Sequence, residues 1–201
     1  MRITILLLLV LATDARADCD ERLAWVDAKL AREAHRALIW KRGWLVGIVG
    51  ATAIDLALIP ILGDTRDNRI DYGLGAATTI VGIVPLLWLP PRSIEDHEAI
   101  ADAIASTADR CAVLRDAEQR LAAATAAEAQ QRRWYVHAGN VALNAGVAVL
   151  FGLFHHWTAG IINGVGGALV GEAIILTQPN DLANDGGKPW QVVPQVGFRF
   201  D

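Results

Sequence analysis

Four long apolar segments divide the chain into alternating apolar and polar stretches. They are "WLVGIVGATAIDLALIPIL" (44–62), "GLGAATTIVGIVPLLWL" (73–89), "AGNVALNAGVAVLFGLF" (138–154) and "TAGIINGVGGALVGEAIIL" (158–176). None of them contains Lys or Arg. Each holds about seventeen to nineteen residues, near the lower limit for a helix that spans a bilayer. The pattern predicts two transmembrane hairpins, over residues 44–89 and 138–176.

Two amphipathic stretches lie outside these hairpins. In residues 18–43 and 90–137 the apolar positions recur three and four residues apart, which is typical of a helix with one buried face. The first apolar stripe is Cys19, Leu23, Val26, Leu30, Ala34 and Ala37, and the second is Ile100, Ile104, Thr107, Cys111, Leu114 and Leu121. We therefore expect an amphipathic helical bundle beside the membrane, followed after the second hairpin by a tail over residues 177–201.

The second amphipathic stretch must leave the membrane face and return to it. Residues 93–137 contain neither Gly nor Pro. The chain could reverse between Cys111 and Gln119, lie flat as one helix, or break at Ser106, where the Ser-x-x-Asp spacing resembles a helix cap. Pro90 and Pro91 mark a firmer boundary, because proline cannot continue the preceding helix.

The first residues resemble a secretory signal peptide. Arg2 precedes an apolar run of about ten residues, too short to cross a bilayer as a helix, and Ala15-Arg16-Ala17 fits a cleavage site. We expect residues 1–17 to be removed on export.

Export gives the two cysteines a specific meaning. Disulfides persist in oxidising compartments, and the chain has only Cys19 and Cys111. Cys19 lies 25 residues before Trp44, and Cys111 lies 22 residues after Leu89. The two cysteines therefore have similar heights above the membrane, and we predict that they form a disulfide.

Aromatic residues at the segment ends agree with a path that begins and ends outside. Trp and Tyr favour the membrane interface. Those at the expected outer ends are Trp40, Trp44, Trp88, Trp134 and Tyr135, and those at the inner ends are Tyr72 and Trp157. Arginines conflict with this path, because Arg66 and Arg69 are the only ones in the expected inner loops, while the outer flanks carry more. A soluble exported helical protein therefore remains an alternative.

Bulk composition restricts the possible partners. The mean hydropathy of +0.32 favours membrane embedding, and membrane lipid is the expected contact. Eighteen Lys and Arg stand against twenty-two Asp and Glu, for a net charge of −4. No basic field is present to hold a nucleic acid, so we expect no partner of that class.

Four polar residues inside the apolar segments are candidate intramembrane sites. Asp55 and Thr78 lie at equal depth on consecutive segments, and Glu172 and Asn144 lie at similar depth on the other two. Each pair could share a hydrogen bond. Ionisable groups at membrane depth are costly, which also makes them candidates for an ion path.

Glycines with small-xxx-small spacing indicate close helix packing. The pairs are Gly43 with Gly47, Gly160 with Gly164, and Gly167 with Gly171. Such spacing lets backbones approach, either within the chain or in a homo-oligomer or a complex with another membrane protein.

We expect no catalytic residue, metal site or cofactor. His155 and His156 are adjacent, so on a helix they would point about 100° apart, whereas helical metal pairs are spaced three or four residues apart. His97 in "EDHE" is expected on a solvated charged face. We instead expect His155-His156-Trp157 to form the tight turn of the second hairpin.

The predicted fold is all-α: a polytopic membrane protein with about four transmembrane helices and an extracytoplasmic bundle. We expect a structural or interaction protein of a bacterial cell membrane, not an enzyme, with both termini outside the cytoplasm. The alternative within the membrane class is a conducting oligomer in which Asp55, Asn144 and Glu172 line a polar path.

Overall fold

A computed structural model describes residues 2–106 and 109–184, with side chains from residue 18 onward. Seven helices follow one another in this part of the chain, and it contains no strand. They are α1 (Arg2–Leu62), α2 (Arg66–Trp88), α3 (Arg92–Ser106), α4 (Arg110–Gln131), α5 (Trp134–Phe154), α6 (Trp157–Thr177) and α7 (Asp181–Asn184). The side chains of the expected signal peptide and most of the tail lie outside the described residues.

The apolar stripe of α1 packs against α3 and α4 in a helical bundle. The buried cluster comprises Leu23, Val26 and Leu30 from α1, Ile100 from α3, Val113, Leu114, Ala117 and Ala124 from α4, and Leu182 from α7. Full burial of a large aliphatic side chain stabilises the fold by about 1.5–3 kcal/mol. The spacing of apolar residues thus identified the buried face correctly at the described positions. Thr107 lies outside the described residues.

The chain reverses in the middle of the second amphipathic stretch. Helix α3 ends at Ser106 and α4 begins at Arg110. The side chain of Asp109 accepts a hydrogen bond from the backbone N–H of Ala112, 3.1 Å away, and so caps α4. The break at Ser106 is therefore the correct alternative, although Asp109 and not Ser106 supplies the cap.

A disulfide joins α1 to α4 near this reversal. Cys19 and Cys111 are bonded, and their Cα atoms are 5.3 Å apart. The predicted pairing is thus present. Cys19 also packs against the buried cluster of the bundle, so the bond fixes the end of the bundle farthest from the apolar helices.

Helix α1 passes from the bundle into the apolar part of the chain without a break. No helix end occurs near residues 43 and 44, where the expected domain boundary lay. A single glycine destabilises a helix without ending it, which explains the continuity through Gly43. The bundle part of α1 and the first apolar segment are consequently one continuous helix.

Four helices are long and apolar enough to cross a membrane. They are the later part of α1, α2, α5 and α6. Helix α1 pairs with α2, α5 pairs with α6, and α2 contacts α6. Between 6% and 17% of each apolar window is buried within the chain, and many of its large apolar side chains are exposed.

The tail begins with a short helix that the sequence did not predict. Helix α7 packs on α4, and Leu182 is 1% exposed inside the bundle core. The side chain of Arg36 on α1 forms an ion pair with Asp181. These contacts attach the chain after α6 to the bundle.

Candidate functional site

Asp55 and Thr78 do not form the predicted hydrogen bond. The Oγ1 atom of Thr78 donates within its own helix, to the carbonyl groups of Leu74 and Gly75. The Asp55 carboxylate lies against Gly75, with Oδ2 3.0 Å from the position that a Cβ would occupy. Equal depth in the sequence did not give a hydrogen bond, because depth does not fix the direction in which a side chain leaves its helix.

Another polar pair joins α1 to α2. The Oγ1 atom of Thr52 donates to the Oγ1 atom of Thr79 over 2.7 Å. Thr52 is buried, so its hydroxyl group is desolvated and bonded at the same time. This pair lies one turn from Asp55 and supplies a hydrogen bond between α1 and α2 that the sequence predicts at Asp55 and Thr78.

A ladder of polar side chains connects α5 to α6. Glu172 lies 2.5 Å from the Nδ1 atom of His137 and accepts from the Nδ2 group of Asn140 over 2.9 Å. Asn144 donates to the Oδ1 atom of Asn140 over 2.9 Å. The predicted bond between Glu172 and Asn144 is therefore absent. Glu172 bonds instead to Asn140, one turn earlier on α5. We call these four residues the α5–α6 polar ladder.

Glycines on α6 make room for this ladder and for the backbone of α5. A Cβ at Gly167 would overlap the side-chain amide of Asn144, and one at Gly171 would overlap that of Asn140. A Cβ at Gly160 or Gly164 would overlap the main chain of α5. Small residues thus allow close contact between these two helices.

The other predicted glycine pair has no such role among the described residues. No heavy atom outside the helix lies within 4 Å of a Cβ built at Gly43 or Gly47. Both residues are exposed, because no second helix of the described chain covers this face of α1. The sequence spacing is the same as in α6, but only the tertiary contacts distinguish the two cases.

Asp71, His155 and His156 form a polar cluster at the end of the apolar helices opposite the bundle. Helix α5 ends at Phe154 and α6 begins at Trp157, so the two histidines form the turn of the second hairpin. The Oδ1 atom of Asp71, on α2, lies 3.0 Å from the Nε2 atom of His155 and 3.5 Å from that of His156. The three ligand atoms lie within 4.8 Å of one another.

The sequence did not predict this cluster, because neighbouring side chains on a helix would point about 100° apart. His155 has φ −134° and ψ −93°, and His156 has φ −151° and ψ 151°. Neither residue is helical, and the two rings come within 4.0 Å, centroid to centroid. The predicted turn was the available signal, because the separation of about 100° between neighbouring side chains applies only within a helix.

A buried glutamate pair occupies the bundle, far from this cluster. Glu33 on α1 is 2% exposed and Glu128 on α4 is 8% exposed. Burial and the negative charge of Glu33 raise the pKa of Glu128 from an ordinary value of 4.5 to about 7. The Oε2 atom of Glu128 accepts a hydrogen bond from the backbone N–H of Ala183, 3.2 Å away, which connects the pair to α7.

The end of α6 is attached to the junction between the bundle and the apolar helices. The indole N–H groups of Trp40 and Trp44 both donate to the Oγ1 atom of Thr177, over 3.2 and 3.0 Å. Arg132 donates to the backbone carbonyl groups of Leu176 and Gln178. Two of the tryptophans expected at a membrane interface thus also make interhelical hydrogen bonds.

Comparisons with family models, with curated proteins and with solved structures find no match for this chain. The class of protein is therefore defined by the fold and the sites alone. It is an all-helical protein with four helices long and apolar enough to cross a membrane, and a disulfide joins two helices of its bundle.

Proposed function

We propose that this chain is a non-catalytic integral membrane protein of the cell envelope, with a structural or interaction role. In this proposal α1, α2, α5 and α6 span the bilayer. The disulfide-linked bundle of α1, α3, α4 and α7 stands outside the cytoplasm. The signal peptide directs export and is removed, and both ends of the mature chain stay on the outer side.

One observation carries the membrane assignment: the apolar side chains of the four long helices face outward. Exposed members of this set include Val46, Ile54, Ile61, Val81, Leu87, Leu143, Leu153, Ile162 and Leu169. Soluble monomers rarely expose continuous apolar surface on this scale. Hydrocarbon is the solvent that would cover it, and α-helices satisfy their own backbone hydrogen bonds there.

The bundle has a different surface, which supports a place in water. Charged residues pair across its helices, as Arg22 does with Glu118. Asp96 is 3% exposed. Its carboxylate accepts hydrogen bonds from Arg92 and from Arg120, each over 3.2 Å. The disulfide favours an oxidising compartment for this part, because thiols stay reduced in the cytosol.

The positions of the intramembrane polar groups favour a structural role over conduction. Asp55 lies in the interface between α1 and α2, whereas Asn144 and Glu172 belong to the α5–α6 polar ladder. Within the chain these groups do not meet in one path. Their contacts are those expected of polar residues that hold helices together in an apolar medium.

Two variants, each with one added cysteine, test the proposed topology. Glu98→Cys places an exposed thiol on the bundle, and Asp67→Cys places one beside the turn between α1 and α2. The two native cysteines are bonded to each other, so they do not react with a maleimide. In intact cells, a membrane-impermeant maleimide should label Glu98→Cys and not Asp67→Cys. After permeabilisation both variants should react.

Equal labelling of both variants in intact cells would contradict the proposal, because both sites would then lie on one side of the membrane. The reverse pattern, with only Asp67→Cys labelled, would place the bundle in the cytoplasm and would overturn the proposed orientation.

A further inference from the structure

We propose that Asp71, His155 and His156 bind a divalent transition-metal ion of the zinc type. Two imidazole nitrogens and one carboxylate oxygen form a ligand set that such ions favour. The three residues come from separate parts of the chain: Asp71 lies on the first hairpin, and the histidines form the turn of the second. An ion bound here would join the two hairpins.

The distances fit one ion held by the three atoms. Ligand atoms about 2.0–2.1 Å from a tetrahedral zinc ion lie roughly 3.3 Å from one another. The Asp71 Oδ1 atom is 3.0 Å and 3.5 Å from the two Nε2 atoms. The two histidine ligand atoms lie within 4.8 Å of each other, so side-chain rotation would bring them to a common centre.

Burial in the cluster is uneven, which suits an open coordination site. The side chain of His155 is 9% exposed, that of Asp71 is 37% exposed and that of His156 is 41% exposed. His155 is therefore held by its surroundings, while the other two ligands border solvent. An ion can enter from this side, and water or an external ligand can occupy its fourth position.

Metal binding through Nε2 requires a change of tautomer at both histidines. The Nε2 atom of His155, 3.0 Å from the Asp71 carboxylate, carries a proton that it donates to Oδ1. The same tautomer is present at His156. Its Nδ1 atom accepts a hydrogen bond from the backbone N–H of Ala159 over 3.1 Å, so Nε2 carries the proton. Coordination through Nε2 moves the proton to Nδ1 and ends this bond. The Ala159 N–H is one of the first four of α6, which have no intrahelical partner, so coordination removes this cap of the helix.

The inference predicts binding of Zn²⁺ to the detergent-solubilised full chain with its purification tag removed. Isothermal titration calorimetry should show one high-affinity site per chain. Asp71→Asn, His155→Gln and His156→Gln should each weaken the affinity by about tenfold or more, since each removes one ligand. His97→Gln is the matched control, because His97 also pairs with a single aspartate, Asp27, 3.3 Å away, but lacks a second histidine.

A measurement on the unsubstituted chain does not depend on how the variants fold. With one equivalent of Cu²⁺, electron paramagnetic resonance should show superhyperfine splitting from two imidazole nitrogens. The proposal is overturned if the unsubstituted chain binds no Zn²⁺, if the three variants bind as tightly as His97→Gln, or if the copper spectrum lacks histidine nitrogens.

Discussion

At the scale of single residues, burial decides which ionisable groups affect stability. Glu98 and Glu128 carry the same side chain, but Glu98 is exposed and Glu128 is enclosed between α1, α4 and α7. Because burial raises the pKa of Glu128 to about 7, the folded chain binds its proton more tightly than the unfolded chain does. The contribution of this group to stability is complete below pH 4.5 and is lost as the pH rises through 7.

Glu128→Gln should therefore stabilise the bundle in alkaline solution. Glutamine imitates the protonated acid, and its carbonyl oxygen can still accept the hydrogen bond from Ala183. Near pH 8.5, we expect the free energy of unfolding to rise by about 1–3 kcal/mol, with little change near about pH 4. Denaturant titrations at the two pH values measure the effect. A gain of equal size at both values, or an equal gain for the exposed control Glu98→Gln, would contradict the assigned cause.

Two glycines on α6 allow a matched test of helix packing. A Cβ at Gly164 would lie 2.6 Å from the Cβ of Ala148 and 2.8 Å from the carbonyl oxygen of Asn144, whereas no atom outside the helix lies within 4 Å at Gly166. Alanine improves helix propensity at both positions by about 1 kcal/mol. Overpacking typically costs about 1–3 kcal/mol and applies only at Gly164.

Gly164→Ala should thus lower the thermal unfolding midpoint of the detergent-solubilised protein, while Gly166→Ala should leave it unchanged or raise it slightly. The comparison removes the effect of propensity, because both variants share it. If the two midpoints moved together, α5 and α6 would not be in the close contact described.

At the scale of elements, the bundle depends on a long-range covalent link. The disulfide joins residues 92 positions apart, and the chain between them includes the whole first hairpin. In the unfolded state this link restricts the separation of α1 and α4. The disulfide lies at the end of the bundle where the chain reverses between α3 and α4. The sequence of this connection contains neither Gly nor Pro.

Replacing both cysteines by serine should lower the free energy of unfolding by about 4 kcal/mol on the chain-entropy model. Denaturant titration with and without reductant measures the change. Reductant should destabilise the unsubstituted chain toward the level of the double-serine variant and should not affect the variant. Identical curves for all samples would mean that the bond does not form in the mature protein.

The elements were predictable to different degrees. The residue spacing predicted the buried stripe of α1, because a helical period of 3.6 residues places Leu23, Val26 and Leu30 on one face wherever the helix packs. The break between α3 and α4 was only one of three alternatives in the sequence, because its residues are good helix formers. The packing of α3 and α4 on α1, together with the Asp109 cap, accounts for the reversal.

At the scale of the whole molecule, the proposal of a membrane protein has a direct biochemical test. Few residues of the four apolar helices are buried within the chain, so hydrocarbon contact should be the main force that retains the chain. Alkaline carbonate should leave the protein in the membrane pellet, whereas a mild detergent should release it. Release by carbonate alone would favour the soluble exported alternative.

The sequence by itself determined the helical class, the four long apolar segments, the amphipathic stripes and the cysteine pairing. The helical properties follow from local periodicity, length and composition, which every helix carries in its own residues. The pairing follows from the presence of two cysteines at similar heights in an exported chain. The connection at His155 and His156 was also a local prediction, since it separates two apolar runs.

Only the tertiary structure decided which polar groups meet. Thr52 bonds to Thr79 where depth along the chain had suggested Asp55 and Thr78, and Glu172 bonds to Asn140 and not to Asn144. Depth fixes the height of a side chain but not its direction, and one helical position changes that direction by about 100°. For the same reason the meeting of Asp71 with His155 depended on the rotation and contact of two separate hairpins, which no local pattern encodes.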